Sequence, residues 1–268
     1  MMSLKLLTSN ICPICNTKFN EGYPAIMEIL KPKHHKHCFL PYPATDIKQC
    51  LDNKDVKSAL NKIYPSDKFI ATVGLGTFYS DTVYESLLRN AWITKYCSWH
   101  LPPTYEQLLE IKDFIGQDQA IEVGAGKGLF TAFLQAMDIK IVGCDPHCNE
   151  KFTGTWITND MDLSDTKDIL YTPVIPFDIN TTLENYGHMT NVLISAWGSY
   201  NISEENCKQF KGQKVIIIGE REGGCTSCGY LQEKCENGDG WELVKEIKIP
   251  IFSGLHDSCC LYQRKIVD

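Results

Sequence analysis

The sequence predicts an α/β fold, a mostly parallel seven-stranded sheet flanked by helices and closed by an antiparallel hairpin. Three observations point there. Short apolar runs of buried-strand type recur at residues 120–123, 139–144, 172–177, 191–197 and 214–220. Helical stretches alternate with them, near residues 129–137, 182–186 and 204–210, which is the rhythm of right-handed strand–helix–strand units. The last two strand-like runs, 241–249 and 259–267, have no helix between them, so they are expected to pair as a terminal hairpin.

Taken in order, residues 1–45 read as a small Cys/His segment. Cys12 and Cys15 form a CxxC pair, and His34, His35 and Cys38 follow in the run KHHKHC. A tetrahedral zinc site takes four such ligands as two close pairs, so Cys12, Cys15, Cys38 and either His34 or His35 are the expected set. A segment with few large apolar residues has little else to hold it together. Residues 46–268 then form the main domain, with a helical part over 46–116 and the core over 117–268. Ile47, Leu51, Val56, Leu60 and Ile63 recur at roughly helical spacing, which predicts one helix or a helical pair. Gly74 and Gly76 mark a turn, and residues 81–93 read as a helix burying Leu87, Leu88 and Trp92. Thr104 with Gln107 predicts a capping box opening another helix, which Gly116 stops. Just ahead of it, Trp99 and His100 either line a cleft or pack as an ordinary aromatic and a surface histidine.

The centre of the chain is residues 120–146, AIEVGAGKGLFTAFLQAMDIKIVGCDP. A chain that leaves a strand and enters a helix within a few residues needs backbone angles that glycine takes without steric cost, and Gly124, Gly126 and Gly128 supply them. Missing side chains also let a ligand lie against the backbone near the positive end of a helix. Glu122 and Asp145 end adjacent strands, where open α/β sheets bind ligands, and a carboxylate at Asp145 suits the two hydroxyls of a ribose. The dinucleotide fingerprint fails at Leu129, where glycine or alanine is required. A phosphate-binding P-loop fails at Gly128, where Ser or Thr should follow Lys127.

The remaining pattern, E-x-G-x-G-x-G with a distal acid, resembles motif I of the class I S-adenosylmethionine-dependent methyltransferases. The whole-chain rhythm is similar to their Rossmann-like layout as well. A closer likeness runs from Tyr96 to Arg264, to a methyltransferase-like group sharing a Y-x-x-W-x-[IL]-P lead-in, E-x-G-A-G-x-G and G-E-x-x-G-G-C-T. Here these are Tyr96, Trp99 and Pro102, then residues 122–128, Trp197, and residues 219–226 including Glu220, Glu222, Cys225 and Thr226. The closing pattern stands as residues 249–257 with Tyr262 and Arg264. Where that group commonly continues Trp197 with two prolines, this chain has Gly198 and Ser199.

The resemblance implies S-adenosylmethionine as cofactor, held by Glu122, Gly124, Gly126, Gly128 and Asp145, with Asp178 toward the adenine amino group; Asp160 and Asp162 are competing acids. The acceptor would occupy the crevice over the fourth and fifth strands, lined by Trp197, Ser199, Tyr200, Glu220 and Thr226. Methyl transfer to a thiol or neutral amine needs no dedicated base, so no catalytic residue is singled out. The other reading is a catalytically silent module of the same fold that recruits a partner through its Cys/His segment.

Composition limits the rest. A net charge of −7 disfavours broad attraction to nucleic acid, without excluding a local basic patch. No apolar run approaches the roughly 20 residues of a membrane span. The start, MMSLKLLTSN, is too short in apolar residues for a signal peptide, and 13 cysteines in such a chain suggest reduced thiols. A cytoplasmic protein is the expectation.

Overall fold

The computed structural model describes residues 42–64, 92–93, 96–98, 100–150, 169–197, 204–220, 229–238, 240–252 and 255–265. Two short helices open it, α1 (Ala44–Asp52) and α2 (Val56–Ile63), then α3 (Tyr105–Ile115). Strand β1 (Ala120–Val123), helix α4 (Leu129–Ala136) and strand β2 (Ile141–Cys144) form the glycine-loop unit. After them come β3 (Val174–Ile175), α5 (Ile179–Tyr186), β4 (Val192–Ala196), α6 (Glu204–Gln209) and β5 (Lys214–Glu220). Helix α7 (Gly229–Glu236) and strands β6 (Trp241–Ile247) and β7 (Asp257–Arg264) end the chain.

The strands make one seven-stranded sheet in the order β3-β2-β1-β4-β5-β7-β6. Neighbours from β3 through β5 are parallel, while β7 runs antiparallel between β5 and β6. The expected mostly parallel sheet with a terminal antiparallel hairpin is therefore present. The hairpin folds back so that its second strand, not its first, meets β5. Strand β3 is shorter than the sequence run suggested, because Pro173 and Pro176 flank it and proline has no N–H for a ladder.

Alternation along the strands splits the interior in two. Ala120, Val192, Ile194, Ile216 and Ile218 face a layer made by α1, α2, α3 and α4. Their neighbours Ile121, Val123, Leu193, Val215 and Ile217 face α5, α6 and α7, through Leu183, Cys207 and Leu231. Cys259 and Cys260 fall on opposite faces, as adjacent strand residues must. Thr104 caps α3 with the expected box, its hydroxyl accepting from the Gln107 N–H while the Gln107 side chain accepts from the Thr104 N–H. Arg264 closes the far end: its guanidinium donates to the carbonyls of Cys207, Phe210 and Gly212 and lies 4.3 Å from the Trp241 ring centroid. Among the described residues no helix is long and apolar enough to cross a membrane.

Candidate functional site

The strand order reverses direction at β1, with β2 on one side and β4 on the other. Open α/β sheets bind ligands at such a switch point, beyond the strands' carboxyl ends. The glycine loop leaves β1 there. Asp145 follows β2 and Trp197 follows β4 at the same end of the sheet.

Gly124, Gly126 and Gly128 all have left-handed φ, at 70°, 54° and 76°. The two later ones differ in what surrounds them. A Cβ on Gly128 would come within 2.9 Å of the Thr172 and Val174 methyls, whereas among the described residues a Cβ on Gly126 would meet nothing within 4 Å. Gly128 is thus required by packing, whereas no described residue crowds the Cβ position of Gly126.

Asp145 is tied to that loop directly. One carboxylate oxygen accepts from the Gly126 N–H at 2.9 Å, and the other accepts from the His147 N–H at 2.8 Å. Both contacts come from protein backbone and fix the plane of a half-buried carboxylate. Glu122 takes a different position. It is 2% exposed, and the Thr131 hydroxyl on α4 donates to it. Burial raises its carboxyl to about 7, with the Thr131 hydrogen bond pulling the other way and the Asp145 charge adding slightly. Glu122 is a brace between strand and helix beneath the loop. Space for that brace comes from Gly143, where a Cβ would stand 2.7 Å from the Thr131 hydroxyl. An isolated glycine in an apolar strand is the available sequence signal for such a close approach.

Asp178 lies past β3 and caps α5, accepting from the Thr181 N–H at 2.8 Å. One of its oxygens is therefore engaged with the chain itself. Trp197 follows β4 with φ 49°, a left-handed conformation that is strained for a bulky residue, while its backbone N–H donates to the Ile218 carbonyl. Such strain clusters at ligand sites. Glu220 ends β5 and stands opposite Asp257 of β7, a carboxylate only 8% exposed. His100 is buried against the first turn of α4, its ring 6.0 Å from that of Phe130. Its Nδ1–H donates to the Leu101 carbonyl at 3.1 Å, and desolvation lowers it to about 4, so the imidazole is neutral at pH 7. It is a buried histidine, not a surface one.

The structure thus brings Glu122, Gly124, Gly126, Gly128 and Asp145 to one place, with Trp197 and Glu220 at the ends of the next two strands. Ser199, Tyr200 and Thr226 lie outside the described residues, as do Trp99, Asp160 and Asp162. Cys12, Cys15, His34, His35 and Cys38 lie outside them too, and among the described residues no group of three ligand-type side chains is placed to hold a metal. The sequence singled out neither Thr131 nor Gly143, and it placed Asp257 in the closing pattern and the buried Lys127 in the glycine run without giving either a role.

No protein-family model matches this sequence, and no curated protein does. Among solved structures, the chain is similar to TehB from Haemophilus influenzae, at 13% identity and a TM-score of 0.37, covering 66% of this chain and 67% of that one. It is similar to the magnesium protoporphyrin IX methyltransferase from Synechocystis with bound S-adenosylmethionine, at 9% identity and a TM-score of 0.40, covering 79% and 98%. A third likeness is to Aeropyrum pernix fibrillarin in complex with S-adenosylmethionine, at 15% identity and a TM-score of 0.34, covering 59% and 73%. With similarities this distant, the chemistry of the cleft rests on its own residues.

Proposed function

We propose that this chain binds S-adenosylmethionine above the glycine loop and transfers its methyl group to an acceptor lying over β4 and β5. The observation that carries this reading is the junction of Gly126 and Asp145: a left-handed glycine that no described side chain crowds, whose N–H orients a strand-end carboxylate. The residues present fit the cofactor. A ribose diol offers two donors to a carboxylate whose inner lone pairs are already occupied by backbone N–H groups. The loop's bare backbone allows the methionine portion to lie close. Helix α4 has Gly128 as its N-cap and no side-chain cap, leaving its positive end to the loop side.

When bound, the cofactor supplies a methyl on a sulfonium centre, open to in-line attack by a nucleophile. The protein's own contribution is positioning and exclusion of water. Asp145 would orient the nucleoside, and the Glu122–Thr131 hydrogen bond ties strand to helix beneath the loop. Trp197, with its left-handed backbone and its ring partly buried against the core, would border the acceptor side, with Glu220 beyond it. An aromatic and an acid favour a flat, neutral or cationic acceptor.

Calorimetry with S-adenosylmethionine and S-adenosylhomocysteine tests the reading. Micromolar binding, about −8 kcal/mol, is expected of the wild type, and no binding sinks the proposal. Asp145→Ala should weaken it by roughly 1.5–3 kcal/mol, the scale of hydrogen bonds to a charged group. In a tritiated-methyl assay on fractionated cell extract, Trp197→Ala should abolish labelling while shifting cofactor affinity by less than about 1 kcal/mol. Binding without labelling of any fraction would favour the silent binding module.

A further inference from the structure

Lys127 stands in the middle of the glycine loop, yet only 5% of it is exposed. A buried ammonium is costly unless its donors are used. Its Nζ donates to the Cys148 carbonyl at 3.0 Å and to the Glu150 carbonyl at 2.5 Å, both in the turn that follows β2. That turn begins at Asp145 and is closed by its own backbone bonds, from the Cys148 N–H to the Asp145 carbonyl and from the Glu150 N–H to the His147 carbonyl. Two consecutive loop residues therefore grip the two ends of one turn. The Gly126 N–H holds the Asp145 carboxylate at its start, and Lys127 holds the carbonyls at its finish. The Lys127 carbonyl also accepts from the Tyr171 N–H at 3.0 Å, which anchors the loop from the third side.

We propose that Lys127 is a positioning residue for nucleoside recognition: it clamps the turn over residues 145–150 to the glycine loop, so that the Asp145 carboxylate faces the ribose diol. This rests on the cofactor reading above. The ammonium points into the turn, so its action runs through Asp145. A phosphate-binding lysine would point the other way, out of the loop.

Three proteins decide it: the wild type, Lys127→Met, which removes the donors at similar volume, and Lys127→Arg, which keeps donors. Each is titrated with S-adenosylhomocysteine and with its 2′-deoxy analogue, and its backbone amide exchange is followed without ligand. The wild type should prefer the ribose ligand by about tenfold or more, the worth of a hydrogen bond to a charged group. Lys127→Met should lose most of that preference and exchange the His147 and Glu150 amides faster. Lys127→Arg should regain part of both. A Lys127→Met protein that discriminates like the wild type overturns the proposal, as does one whose turn amides exchange no faster. If Lys127→Met fails to fold, Lys127→Gln, too short to reach either carbonyl, answers the same question. Absence of binding by the wild type overturns the cofactor reading and this inference together, whereas binding with unchanged discrimination overturns this inference alone.

Discussion

The Glu122 carboxyl sits on the central strand with 2% exposure, bonded by the Thr131 hydroxyl and raised by burial to about 7. An unfolded glutamate titrates near pH 4.3 or so. Between those two values the folded protein holds a proton that the unfolded chain has released, so stability falls as pH rises through the window. The contribution is fully present below the unfolded value and lost once pH passes the folded one. Glu122→Gln keeps an acceptor for Thr131 and removes the charge. It should flatten the loss between pH 5 and pH 8, leaving the variant more stable than wild type at pH 8 by roughly 1–3 kcal/mol. Urea unfolding of both proteins at the two pH values measures this, and parallel pH profiles would show that Glu122 is not the titrating brace.

At the scale of the element, the loop between β1 and α4 separates conformational need from ligand space. Alanine at a left-handed position costs about 1 kcal/mol. At Gly126 that is the whole structural cost, because its Cβ would meet none of the described residues within 4 Å. At Gly128 the Cβ also collides with Thr172 and Val174 at 2.9 Å, so the total should reach about 2–4 kcal/mol. Thermal unfolding should therefore rank Gly128→Ala well below Gly126→Ala. Calorimetry should show the reverse emphasis: Gly126→Ala folds but binds S-adenosylhomocysteine at least about tenfold more weakly, since its methyl occupies the cradle. Wild-type affinity in Gly126→Ala would place the ligand elsewhere.

For the whole molecule, the α1–α2 pair is part of the main core. Ile47, Leu51, Val56, Leu60 and Ile63 join the same apolar cluster as Ala120, Ile141, Val192 and Ile216 of the sheet. Asp55 caps α2 by accepting from the Ser58 N–H at 3.0 Å, which sets the bend between the two helices. Ile47 is fully buried, so Ile47→Ala should cost about 2–4 kcal/mol. The loss should appear in a single unfolding transition that also destroys the cofactor site. Two separate transitions would mean that the pair is a detachable appendage.

Features with local causes were legible in the residues alone. The apolar runs that became β1, β4 and β5, the Thr104–Gln107 box and the left-handed glycines each depend on side chains within a few positions of one another. The terminal hairpin was legible for the same reason. Helix α7 was not, because Leu231 is its one buried residue and so no apolar stripe marks it. The insertion of β7 between β5 and β6 follows from how sheet edges close, which the order of runs along a chain does not encode. Asp178 shows the opposite case, a cap set by Thr181 three residues on and legible in hindsight. Only the assembled structure decided the states of Glu122, Lys127 and His100. Their burial and hydrogen bonds come from distant segments, such as β4 beside Glu122, Tyr171 against Lys127 and Phe130 against His100, and desolvation is a property of the packed neighbourhood that a residue acquires only on folding.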